Sequence, residues 1–130
     1  MATRTTNAST RARRSETSTS RGGSMTVTAE SEYQIVRNCA NVCNETLAYC
    51  LTQGGEHVEQ EHIKMLIDCV DVCNVTANLV GRGSEFADNF KEICAEVSKA
   101  CEESCEGFEG DETMARCAEA CRECAAYSRA

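Results

Sequence analysis

Cysteine recurs along this chain at the spacing of helical turns. Cys39, Cys43 and Cys50 form one group, Cys69 and Cys73 a second, Cys94, Cys101 and Cys105 a third, and Cys117, Cys121 and Cys124 a fourth. At about 100° of rotation per residue, the first and third groups each fall within about 40° on a helix face, and the fourth within about 60°. Cys69 and Cys73 are one turn apart. A chain with this spacing is constrained to helices that each turn one narrow cysteine stripe toward a common interior.

The punctuation of the sequence agrees. Proline, the strongest helix breaker, is absent, and the apolar-periodic segments are separated by Gly54-Gly55, by Gly81-Arg82-Gly83 and by Gly107 to Gly110. Glycine just past a periodic segment marks a helix C-terminus, and Ser84 and Asp111 are suited to cap the helices that follow. The spacing predicts helices over 31–52, 56–80, 84–107 and 111–128. Short connections force antiparallel neighbours, so the expected fold is all-α, an up-down-up-down four-helix bundle. Ile35, Val42 and Thr46, then Val58, Leu66, Val72 and Val80, then Ala87, Phe90 and Val97, then Met114 and Ala120 flank the cysteines on the core side. Four such stripes close into a column of thiols about 20 Å long.

Residues 1–30 read differently. They carry five arginines against Glu16 and Glu30, and run through Ser and Thr to Gly22-Gly23-Ser24. The expectation is a disordered basic tail over 1–30 and the cysteine-lined bundle over 31–130. Met25, directly after the glycines, is a candidate alternative start. The Arg13-Arg14 pair has no apolar stretch behind it, which argues against a secretory signal, although the composition resembles an organelle transit peptide. Beyond residue 30 the chain has 8 basic and 19 acidic residues within an overall charge of −8. An acidic body excludes nucleic acid as the main partner, and no apolar run reaches the ~20 residues that span a bilayer.

Eleven cysteines exceed what packing needs, since Val, Ala and Leu fill space without oxidation risk. The number is odd, so intramolecular disulfides alone leave one thiol over. Helical i, i+4 neighbours have Cβ atoms ~5–6 Å apart, too far for the ~3.8 Å that a disulfide needs, so pairs such as Cys39–Cys43 or Cys117–Cys121 do not bridge along their own helix. Cross-helix bridges stay open. Without an export signal the thiols meet a reducing cytoplasm. Reduced thiols in this number point to a soft metal ion. A continuous column differs from the single closed tetrahedron of structural zinc, whereas Cu(I) accepts two or three sulfurs and shares them with the next ion. Buried thiols hold their protons tightly, so uptake of metal should weaken as pH falls.

The repeated Cys-X3-Cys helices, CANVC, CVDVC, CEESC and CAEACREC, resemble those of the bacterial copper storage proteins over roughly residues 31–128. The resemblance implies a cysteine-rich four-helix bundle holding many Cu(I) ions, a homotetramer, and a cytoplasmic location for members without an export signal. The second helix departs from the pattern with only two cysteines, so a lower capacity is expected, on the order of ten ions. Some relatives are packaged in encapsulin nanocompartments through a terminal segment, a role open to residues 1–24.

His62 lies on the cysteine stripe seven residues before Cys69, with Met65 close by. In an up-down-up-down bundle it meets Cys50, Cys105, Met114 and Cys117 at one end of the column. His62, Met65 and Met114 are therefore candidate copper ligands at a mouth, alongside the bland reading of thioethers as core filler. His57 points about 120° off the stripe and reads as a surface residue. The thiol column, with no activated nucleophile beside it, implies storage and not an enzyme. Two other readings are an iron–sulfur protein, from Cys117-X3-Cys121-X2-Cys124, and a zinc or general thiol-buffering bundle. The three glycosylation sequons, at Asn7, Asn44 and Asn74, carry no weight without a secretion signal.

Overall fold

A computed structural model of the chain describes residues 29–129 of 130. The expectations of a disordered, organelle-targeting or encapsulin-targeting tail lie outside the described residues, apart from the last two positions of the 1–30 segment. Those belong to the first helix. Four helices make up the fold: α1 Ala29–Gln53, α2 Gln60–Arg82, α3 Ala87–Glu106 and α4 Glu112–Arg129, with a short 3-10 turn at Gly55–Val58 between the first two. α1 packs on α2 and α4, and α3 packs on the same two, so the helices form a square whose diagonals do not touch along their backbones. This is the four-helix bundle that the short connections require.

Helix ends follow local chemistry, with three departures from the sequence reading. Gly81 does not break α2. The helix runs through it and ends at Gly83, whose φ of 67° lies in the left-handed region. Gly83 N–H bonds Val80 O at 3.1 Å and Ser84 N–H bonds Leu79 O at 2.9 Å, the Schellman arrangement of hydrogen bonds. Gly81 serves packing instead, since a Cβ there would come within 3.2 Å of the Tyr33 ring of α1. Ser84 does not cap α3; its Oγ accepts from Phe86 N–H at 3.1 Å within the turn, and the helix starts three residues further on. Asp111 does cap α4, its Oδ1 accepting from Met114 N–H at 3.1 Å. Val58 is the third departure. It belongs to the 3-10 turn and is exposed, because α2 begins only at Gln60.

The core is built from small side chains. Cysteines, alanines, Val36, Thr46, Thr76 and Ser98 fill it, with Leu66 and Met114 the largest fully buried residues. Aromatic rings stay at the edges: Tyr33, Tyr49 and Phe108 pack against it half-buried. Bundle cohesion outside the core comes from contacts between helices. The Arg37 guanidinium of α1 donates to Asn74 and Asn78 of α2, and Arg122 of α4 bridges Glu102 of α3 at 3.0 Å. No helix of the described residues is long and apolar enough to cross a membrane.

Candidate metal centre

All eleven cysteines are free and buried. Each helix delivers its stripe to the axis, and the sulfurs meet across it. Starting at the end away from the α1–α2 turn, Cys94 lies 3.7 Å from Cys73 and 3.6 Å from Cys124, which are 4.0 Å from each other. Cys39, Cys73 and Cys124 form the next group, all within 4.8 Å. Two four-thiol groups follow, Cys39–Cys43–Cys69–Cys121 and Cys43–Cys101–Cys117–Cys121, on the same limit. Cys43 ties them together, at 3.6 Å from Cys69, 3.6 Å from Cys121 and 3.8 Å from Cys117. Cys105 interacts with Cys101 and Cys117 one turn further on.

These separations decide what the sulfurs can share. A disulfide needs ~2.05 Å, so every pair measured stands well outside that bond. With a metal–sulfur bond of ~2.3 Å, two thiolates in line stand ~4.6 Å apart, three in a plane ~4.0 Å, and four in a tetrahedron ~3.8 Å. The observed 3.6–4.0 Å therefore suits three or four sulfurs around one ion, with Cys39, Cys43 and Cys121 each shared between two groups.

Proton affinity is set by neighbours and by dryness. Cys39, Cys43, Cys73, Cys101, Cys105 and Cys121 are held above the ordinary thiol range by hydrogen bonding with neighbouring thiols and by burial. Cys94 is pushed up to about 12, chiefly through Cys124 and burial. Cys69, Cys117 and Cys124 are drawn the other way by hydrogen bonding with the surrounding thiols.

The end beside the α1–α2 turn mixes donors. Cys50 Sγ lies 3.4 Å from His62 Nε2 and 3.7 Å from Met114 Sδ, with all three residues buried. Burial, then Cys117 and Asp111, push the Cys50 thiol up to about 11. Burial holds the His62 imidazole below its usual range, which keeps it neutral near pH 7. Its Nδ1 sits 2.7 Å from Ser104 Oγ. With Nδ1–H donating to that hydroxyl, Nε2 keeps its lone pair for a metal. Met65 is half-buried at the rim of the core and does not join this contact.

His57 corrects the sequence reading. It is half-buried, its Nε2 is 2.9 Å from Asp111 Oδ2, and its ring lies 4.4 Å from that of Phe108. The helical angle that placed it on the surface does not apply, because residues 55–58 form a 3-10 turn and not the start of α2. Tyr49 also donates to Asp111 Oδ2, at 2.8 Å. Burial opposes ionisation of Asp111, but hydrogen bonds from His57, Tyr49 and the Met114 N–H hold its carboxyl below the usual range. Phe108 lies between the two imidazoles, 4.8 Å from that of His62. Beside this end a cavity of about 480 Å³ opens between α3 and α4, lined by Cys105, Phe108, Glu109, Asp111 and Glu112 among others. Its acidic wall attracts cations.

Sequence reasoning missed Ser98, Ser104, Phe108 and the role of Asp111 beyond capping. Ser98 had a signal: with Cys94, Cys101 and Cys105 it completes an i, i+4, i+7, i+11 series on α3, and its hydroxyl is fully buried among the sulfurs. Ser104 comes from the last turn of α3, and the α3–α4 turn brings Phe108 and Asp111 to the mouth.

Comparison with known proteins agrees with this geometry. Residues 25–130 match the copper storage protein family. An uncharacterised cysteine-rich protein of Bacillus subtilis, YhjQ, is 28% identical over 95 residues, covering 68% of this chain and 88% of that one. A crystal structure of a protein from Nitrosospira multiformis superposes with a TM-score of 0.73 at 31% identity, over 78% of this chain and 91% of that one. The Cu(I)-bound copper storage protein BsCsp3 gives 0.73 at 26%, over 78% and 94%. The chain belongs to the copper storage protein family.

Proposed function

We propose that this protein stores and sequesters several Cu(I) ions along its thiol column, and that it is not an enzyme. The observation that carries the reading is the run of eleven buried sulfurs, eight of which stand 3.6–4.0 Å from a sulfur of another helix. Thiolate is soft, Cu(I) is soft, and a shared sulfur lets neighbouring ions occupy successive groups. The ligands are Cys39, Cys43, Cys50, Cys69, Cys73, Cys94, Cys101, Cys105, Cys117, Cys121 and Cys124, with His62 and Met114 at the mouth. Met65 has weaker support, since its thioether lies outside the Cys50 contact. A homotetramer in the cytoplasm, with residues 1–24 as an encapsulin-targeting segment, completes the proposal. Its support is the likeness to copper storage proteins.

Anaerobic titration with Cu(I) against a competing chelator tests it, with the expectation of several tightly held ions per chain. Uptake of none ends the reading. Deleting residues 1–24 and looking for co-purification with a shell protein tests the packaging proposal; unchanged packaging ends it.

Zinc is the second reading, favoured by the two four-thiol groups, which offer a tetrahedral donor set. Competition separates the two: a Cu(I) store keeps its ions against excess Zn(II). The iron–sulfur reading loses support, because Cys117 and Cys124 turn to different groups and Cys121 lies between them in a continuous helix.

A further inference from the structure

Cys73, Cys94 and Cys124 make a nearly equilateral triangle with sides of 3.7, 3.6 and 4.0 Å. The circle through these sulfurs has a radius of about 2.2 Å, close to the ~2.3 Å of a zinc–thiolate bond. A metal ion in their plane therefore meets all three sulfurs at bonding distance with no movement of the helices. What stands over the triangle decides which ion can use it. Ser98 Oγ is 3.9 Å from Cys73 Sγ, 3.9 Å from Cys94 Sγ and 4.0 Å from Cys69 Sγ, and it also acts on Cys124. The two edges to Cys73 and Cys94 match the ~3.8 Å of a tetrahedral thiolate site and set the hydroxyl toward its fourth corner.

We infer that Ser98 is the metal-selecting residue of this end of the column: it occupies the fourth corner with a neutral oxygen and so holds the site to three-coordinate Cu(I), against tetrahedral Zn(II). The reason lies in the ligands each ion accepts. Zinc in proteins takes thiolate, imidazole or carboxylate and closes four positions. A buried neutral alcohol is none of these. Cu(I) needs no fourth partner when three soft sulfurs surround it. The rest of the column contrasts, since Cys39–Cys43–Cys69–Cys121 and Cys43–Cys101–Cys117–Cys121 each bring four thiols together. Cys39 lies within 4.8 Å of Cys73 and Cys124, but it is already shared with the first of those groups. On α3 the thiol that would complete the end site is the one Ser98 replaces.

The inference rests on the storage reading, and its test keeps the two apart. The full chain, Ser98→Cys and Ser98→Ala are reduced, checked for native helix content, and titrated anaerobically with Co(II) as a visible reporter of tetrahedral thiolate sites. Each is also titrated with Zn(II) and Cu(I) against chelators. Ser98→Cys should bind one more tetrahedral Co(II) per chain than the parent and retain one more Zn(II). Ser98→Ala should gain neither and keep the parental Cu(I) count. Equal Co(II) binding by the parent and Ser98→Cys, as happens if Cys39 completes the tetrahedron, would overturn the inference. Loss of a Cu(I) from Ser98→Ala would do so too, by making the hydroxyl a ligand; that arm stands even if Ser98→Cys fails to fold. A parent that binds no Cu(I) defeats the storage reading instead.

Discussion

The two ends of the column differ in what they offer a metal ion. At the inner end, Cys73, Cys94 and Cys124 present sulfur alone, with Ser98 over the triangle. At the mouth, Cys50, His62 and Met114 present three different donor atoms. Half-buried Tyr49, His57 and Phe108 surround them, and an acidic cavity lies alongside. The inner end is built to keep an ion, because uniform soft ligands bind Cu(I) tightly and exclude water. On the storage proposal, the mouth would pass one along, because weaker and mixed ligands exchange faster. Storage needs both, on the same axis.

The largest expected effect is that of pH, and it should act on the whole column. Most of the thiols are protonated in the metal-free protein near neutrality, so each ion must displace protons. Cu(I) affinity should fall about tenfold per pH unit for each proton released, measured by chelator competition from pH 8 to pH 5. The metal-free fold shows the opposite trend at high pH. Cys50 is raised from 9.0 to about 11, and Cys94 from 9.0 to about 12. Stability is fully present below pH 9 and is lost as pH climbs through those values, because the unfolded chain gives up its thiol protons first. Alkaline unfolding followed by circular dichroism checks the sign.

Removing the inner sulfurs should come next. Replacing Cys73 and Cys124 together by Ala breaks both groups at that end, and titration should lose at least two Cu(I) per chain while early uptake keeps its rate. His62→Ala should do the reverse, slowing uptake several-fold in stopped-flow mixing with little change in the final count. If His62→Ala costs as many ions as the double cysteine variant, the two ends do not have separate roles. The smallest effect belongs to Asp111, which caps α4 beneath Met114. Asp111→Ala should cost about 1 kcal/mol in denaturant unfolding and leave the inner-end count unchanged.

Helix number, the antiparallel order and the inward facing of all eleven cysteines were legible in the sequence because each depends on periodicity and short glycine turns. His62 and Met114 were placed at one end by topology alone, and the structure brings both to Cys50. His57 was misplaced, because a helical wheel assumes a helix and residues 55–58 depart from one. Gly81 was read as a stop, although its lack of a side chain serves the close approach of Tyr33 and not a turn. Ser98 was passed over because serine is unremarked on a helix until the three thiols around it are seen. Features that follow from one helix can be read from its own residues; those made where two or three elements meet cannot.

On the storage proposal copper sits inside the bundle, on sulfur. X-ray absorption at the copper edge of anaerobically loaded protein tests it most directly. Copper held in the column should be reduced, with two or three sulfur neighbours at about 2.3 Å, as expected for bridging thiolates. A first shell dominated by oxygen or nitrogen would place the metal on the acidic surface and contradict it.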